Sequence, residues 1–270
     1  MRISKTRVLA AGAAAVLASS LGVAAATAGS DETPPSFQEF SASTFRDTDG
    51  TWIVNGDEPV QSKGGLRQFY DGMVSAPKKV SEEGLIINTV NGKDDRWSQA
   101  AVGNLTYCVS TKFGADYSRV VSAMDSGAGQ WEAASSAVDF IHVSGADSSC
   151  NTRNRTVVFS VEPTKTTQYI ARAFFPSTSS KNILVNAKSL YNSGSWTPSN
   201  ILAHELGHTL GFRHEHTRPE SGTCFEDNNW RPLTPYDSAS IMHYPQCNGS
   251  SDDLSMTSTD RAGIQAVYGN

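Results

Sequence analysis

The feature that most constrains this chain is the run His204-Glu205-Leu206-Gly207-His208-Thr209-Leu210-Gly211-Phe212-Arg213-His214, the pattern HExxHxxGxxH. Its first half reads as a helix. Thr197 is placed to cap the N-terminus and Pro198 occupies the first turn, where its missing N–H leaves nothing unbonded. On such a helix His204 and His208, four residues apart, share one face and reach a single Zn²⁺ together. Glu205 sits on the same turn but angled away, suited to hold a water rather than the metal. Gly211 lets the chain leave the helix sharply, so that His214 returns to the metal from outside. From this chain's own composition the long pattern arises by chance in roughly one such sequence in a hundred thousand. The competing reading is a surface helix with solvated histidines. Ile201, Leu202, Leu206 and Leu210 make the helix core-facing, and burying three imidazoles without a ligand would leave polar nitrogens unsatisfied.

Five of the six histidines lie between positions 204 and 243. Beyond the metal pattern comes Ser240-Ile241-Met242-His243-Tyr244, with Met242 placed to form the methionine turn beneath a three-histidine zinc site. The overall charge excludes a different class of function. Lys and Arg number 22 against 27 Asp and Glu, a net charge of −5, so no basic excess is available for nucleic acid.

Organisation along the chain gives three parts. Residues 1–28 read as a cleavable signal peptide: Arg2, Lys5 and Arg7, then an alanine-rich apolar run ending in small residues. Its removal leaves 19 basic against 27 acidic residues, a net charge of −8. The expected location is extracellular, with no stable membrane association and a monomeric state. Residues 29–95 have no Cys or His and few apolar side chains beyond Phe37, Phe40, Trp52-Ile53-Val54 and Leu66. They read as a linker, a small module or a pro-segment, closing on the polar, cleavable-looking residues 90–96. Residues 96–270 read as the folded domain. Leu105, Tyr107 and Val109 alternate as a strand, and Tyr117 to Trp131 carry helical spacing after Asp116. β-rich runs follow at residues 138–143, 156–161, 170–175 and 183–185. This order predicts an α+β fold with helices packed on one sheet. An exported chain forms disulfides. Cys108, Cys150, Cys224 and Cys247 allow three connectivities, of which Cys108–Cys150 with Cys224–Cys247 closes the shorter loops.

Residues 204–220, HELGHTLGFRHEHTRPE, together with Tyr236-Asp237 and residues 240–244, resemble the metzincin zinc peptidases. Within them the likeness is strongest to astacin-like enzymes and bacterial HEIGH-type metallopeptidases. The resemblance is dense from Ile201 to Tyr244, and the C-terminal residues 254–269 resemble the closing helix of that family. It implies a mixed twisted sheet, a long backing helix, a zinc-binding active-site helix and a C-terminal helix. It implies one catalytic Zn²⁺ on His204, His208 and His214, with Tyr244 as a further ligand that swings off when substrate binds. The implied activity is a secreted zinc endopeptidase acting on proteins or peptides, with Glu205 as general base and Tyr244 beside the developing oxyanion. Glu215 matches a glutamate that pairs with the new N-terminus of activated astacins; otherwise it is a solvated charge. Val54-Asn55-Gly56-Asp57 resembles the astacin pro-segment motif FxGD, with Val54 for Phe, which implies Asp57 as an inhibitory zinc ligand. The alternative there is an ordinary Asn-Gly-Asp turn. The segment's lack of cysteine rules out a thiolate block.

Two rival functions remain at this level. One is a secreted, zinc-stabilised binding module without catalysis, against which the intact Glu205 argues. The other is a serine hydrolase using Ser240 or another serine, for which no GxSxG element exists. The substrate is expected to lie extended against an edge strand, placed at residues 169–174.

Overall fold

The computed structural model describes residues 34–75 and 85–270; the expected signal peptide lies outside them. The N-terminal segment holds helix α1 (Phe37–Ser43), strands β1 (Trp52–Val54) and β2 (Glu58–Val60), and helix α2 (Lys63–Met73). Ser36 caps α1 in a reciprocal box with Glu39. β1 and β2 pair antiparallel across the turn Asn55-Gly56-Asp57. Phe40, Val54, Leu66 and Phe69 form a small core of their own.

The body starts with β3 (Ile86–Val90) and β4 (Lys93–Asp94), joined by the turn Asn91-Gly92, both at positive φ. A short helix α3 (Gln99–Val102) leads to β5 (Leu105–Val109) and the long α4 (Tyr117–Glu132). Then come β6 (Phe140–His142), β7 (Phe159–Pro163), β8 (Ala171–Arg172), β9 (Asn182–Val185) and the short α5 (Ala187–Leu190). The chain closes with α6 (Pro198–Thr209), β10 (Trp230–Pro232) and α7 (Ser258–Tyr268). The main sheet has the order β6-β5-β7-β9-β8. β5, β6, β7 and β9 run parallel, and β8 pairs antiparallel at the edge. This is the mixed sheet of the expected α+β class.

α4 backs α6. Trp131 on α4 is fully buried and donates its indole N–H to the Ala203 carbonyl at 2.7 Å. Gly127 permits the approach, since a Cβ there would lie 2.9 Å from the Ala203 nitrogen. Asp116 precedes α4 but makes no side-chain cap; its carboxylate holds Arg119 instead. Thr257 and Asp260 form a capping box on α7.

Two details differ from the sequence reading. Most of the polar residues 90–96 are exposed, but Asp95 is buried, accepting from Asn88 and from the Ser177 N–H and hydroxyl. β3 pairs with β10, and Leu85 and Ile87 join the main core, so residues 85–95 pack with the body although they precede the boundary expected at 95. The edge strand is also shorter than residues 169–174, because Tyr169 and Phe174 are turned into packing contacts rather than ladder pairs. Among the described residues no helix is long and apolar enough to cross a membrane. The structure joins Cys108 to Cys150 and Cys224 to Cys247.

Candidate metal centre

α6 is capped by Thr197, whose hydroxyl accepts from Asn200, with Pro198 in its first turn. It delivers His204 and His208 on one buried face. The exit turns at Gly211, with φ +103°, where a Cβ would lie 2.2 Å from the Asp95 carbonyl oxygen. Only glycine fits that position. The turn brings His214 back to the helix, its Nε2 3.3 Å from that of His204.

Each imidazole is oriented through its outer nitrogen. His204 Nδ1 donates to the Ile241 carbonyl at 2.7 Å, His208 Nδ1 to Phe212 at 2.8 Å and His214 Nδ1 to Glu226 at 2.7 Å. These bonds turn the three Nε2 atoms inward toward one point. The Asp57 carboxylate closes the cluster, 3.4 Å from His204, 3.7 Å from His208 and 3.3 Å from His214. Four ligands at zinc–nitrogen distances in a tetrahedron stand about 3.3 Å apart, so the separations suit that ion. His208 Nε2 and one Asp57 oxygen are buried with no hydrogen-bond partner. Such orphaned atoms are costly in a protein interior unless a ligand engages them. The donor set therefore fits Zn²⁺.

The surroundings tune these groups. Burial pushes the Asp57 carboxyl up, but His214, His204 and His208 outweigh it and hold it well below the usual carboxylate range. Burial, and then the charge of Asp57, push Glu205 well above its ordinary value; one of its oxygens has no partner. Tyr244 donates its hydroxyl to Asp57, and its ring stacks on His204 at 5.4 Å. Burial, followed by Asp57 and Glu205, raises its phenol well above the normal tyrosine range. Gly56, at φ +101°, carries Asp57 past this ring; a Cβ there would touch it at 3.6 Å. Met242 is fully buried beneath α6, where a Cβ on Gly207 would lie 2.4 Å from its sulfur.

Several functional neighbours had no signal in the spacing. Glu226 accepts from His214, His216 and Arg213 together. Buried Arg213 also binds Asp227 at 2.7 Å and both oxygens of Glu58, which lies in the N-terminal segment. Burial pushes Glu58 up to about 7, with Arg213 pulling it down and Glu226 adding to the rise. Glu215 is not a solvated charge. It is fully buried, bonded to Arg218 and to the Asp237 N–H. Ser240 bonds Asp260 and the Met242 N–H, holding the methionine turn rather than a hydrolytic triad.

Comparison with known proteins agrees with this geometry. The sequence model of metallo-peptidase family M12 matches residues 85–255, more than half of the chain. Over 69 residues the chain is 41% identical to high choriolytic enzyme 1 of Oryzias latipes, covering 20% of this chain and 26% of that protein. It is 36% identical over 77 residues to astacin-like metalloprotease toxin 2 of Loxosceles intermedia, covering 22% and 30%. It is 35% identical over 91 residues to tolloid-like protein 1 of Homo sapiens, covering 26% and 9%. The chain thus spans less than a third of the length of these relatives.

Proposed function

From the premise that this chain belongs to metallo-peptidase family M12, as a zinc metalloprotease of the metzincin type, we propose that it is an endopeptidase exported as a self-inhibited precursor. The observation that carries this reading is the Asp57 carboxylate seated among the three inward-facing imidazoles. In this reading the segment up to Ser75 is the inhibitory part, and residues from Leu85 onward stay with the catalytic body. Export rests on the residue pattern of positions 1–28 and on two disulfides, which suit an oxidising compartment.

His204, His208 and His214 would hold the zinc, and in the precursor Asp57 would complete the set. The ion, when bound, supplies a Lewis acid that acidifies water and polarises a carbonyl. Glu205 takes the proton of the attacking water and passes it to the nitrogen of the departing amine. Its raised affinity for protons, set by burial, suits a group that must both accept and release one. Once Asp57 withdraws, the Tyr244 hydroxyl that it held is free to donate to the oxyanion of the scissile carbonyl. Glu226, Ile241 and Phe212 keep the imidazoles from rotating. The peptide lies extended along β8, the edge of the sheet nearest α6. Glu215 keeps one oxygen unpartnered in the interior, a place where the new N-terminal ammonium would dock.

Glu205→Gln tests the proposal. Processed protein should lose casein cleavage by about a thousandfold while still binding one zinc per chain. Activity that survives this change, or that survives chelation, sinks the mechanism.

A further inference from the structure

Arg172 lies on the edge strand β8 and is 2% exposed. Among the described residues, both carboxylates bonded to it come from the N-terminal segment. Its Nε donates to Asp47 at 3.3 Å and its Nη2 to Asp49 at 2.9 Å. From the body it receives only the neutral Asn182 side-chain oxygen, at 3.2 Å. Tyr169, one turn of chain away, donates its hydroxyl to the same Asp47 oxygen at 2.5 Å. Asp47 is itself buried, its own loop closed by the Thr48 N–H and by the Thr51 carbonyl. The arrangement is a guanidinium and a phenol converging on one carboxylate, a geometry that discriminates an acid from its amide.

The site lies close to the histidine cluster. β8 packs against α6, and Phe175, three residues beyond Arg172, sets its ring edge-on to His208 at 5.5 Å. The other buried arginine facing the segment, Arg213, behaves differently. It loses Glu58 when the segment leaves but keeps Glu226 and Asp227, so its charge stays neutralised. Arg172 keeps no hydrogen-bonded carboxylate from the body, and only Glu205 acts on its charge from a distance. Once the segment leaves, the guanidinium has lost both bonded anions and is open to a new carboxylate.

We propose that in the processed enzyme Tyr169 and Arg172 form a subsite for an acidic side chain of the peptide substrate, which Asp47 occupies in the precursor. This rests on the reading of the segment as removable and of β8 as the substrate strand. The recognised chemistry is a carboxylate on a short side chain, presented by an extended peptide lying beside the edge strand.

The test uses processed enzyme from the full secreted chain and paired fluorogenic peptides carrying Asp or Asn at each position flanking the scissile bond. At one position kcat/KM should favour Asp by about tenfold. Arg172→Met should bring that ratio close to one, and Arg172→Glu should turn the preference toward Lys. Tyr169→Phe, which removes only the hydroxyl, should lower the ratio a few-fold and serves if the arginine variants fold poorly. A flat Asp/Asn ratio in the wild type, or a ratio untouched by Arg172→Met and Tyr169→Phe, overturns the subsite. Glu205→Gln run on the same peptides separates the two failures. Cleavage that persists there defeats the peptidase reading, whereas cleavage that vanishes beside a flat ratio defeats the subsite alone.

Discussion

The N-terminal segment and the catalytic body are held by different forces. The body surrounds one continuous apolar core running from Leu85 to Tyr268, while the segment's own core is a cluster of four buried hydrophobic side chains. A unit that small does not bury enough surface to be stable alone. What fixes it is charge: Asp57 among the histidines, Glu58 on Arg213, and Asp47 with Asp49 on Arg172. Buried pairs of this kind specify one docking geometry, and each becomes a liability when its partner is removed. The body keeps the orientation of its three imidazoles through its own groups, Ile241, Phe212 and Glu226. A segment held by a few polar contacts is releasable without disturbing that frame.

This contrast can be broken at four points. Trp131→Ala strikes the body's core behind α6 and should destabilise it by about 3–5 kcal/mol, seen as a lowered melting temperature in precursor and processed enzyme alike. Asp57→Ala should leave the melting temperature of the processed form untouched. It should raise peptide cleavage by the unprocessed chain about a hundredfold, equivalent to ~2.7 kcal/mol of lost inhibition; a precursor as silent as wild type would remove Asp57 from the inhibitory role. Glu226→Gln should weaken zinc binding about 10–100-fold in chelator competition, with little change in segment docking. Ser36→Ala, removing the cap of α1, should loosen the segment by about 1 kcal/mol. Limited proteolysis should then cut the segment sooner while the body resists as before.

How far the sequence was legible follows the same division. The Thr197 cap, the course of α6, the turn at Gly211 and the backing helix α4 were all readable, because caps, periodicity and glycine act over a few residues. The two disulfides the structure forms are the pair with the shorter loops. Glu226 carried no such signal, since its partners His214, His216 and Arg213 lie ten or more residues away and only folding brings them together. Asp95 misled for a related reason. It stands in a polar run that looks like exposed linker, yet Ser177 and Asn88 satisfy its carboxylate in the interior. Glu215, equally charged, is buried because Arg218 and the Asp237 N–H accompany it.

By itself the sequence determined that three histidines would converge at the end of one helix. Their spacing is a property of a single helix and the turn that ends it, and a helix has fixed geometry. Only the tertiary structure decided what surrounds that meeting. Which carboxylate orients His214, which arginine keeps its neutralising partners and which stands to lose them all are consequences of long-range packing. Buried charge finds its partner wherever the fold places one, and no local periodicity records that choice.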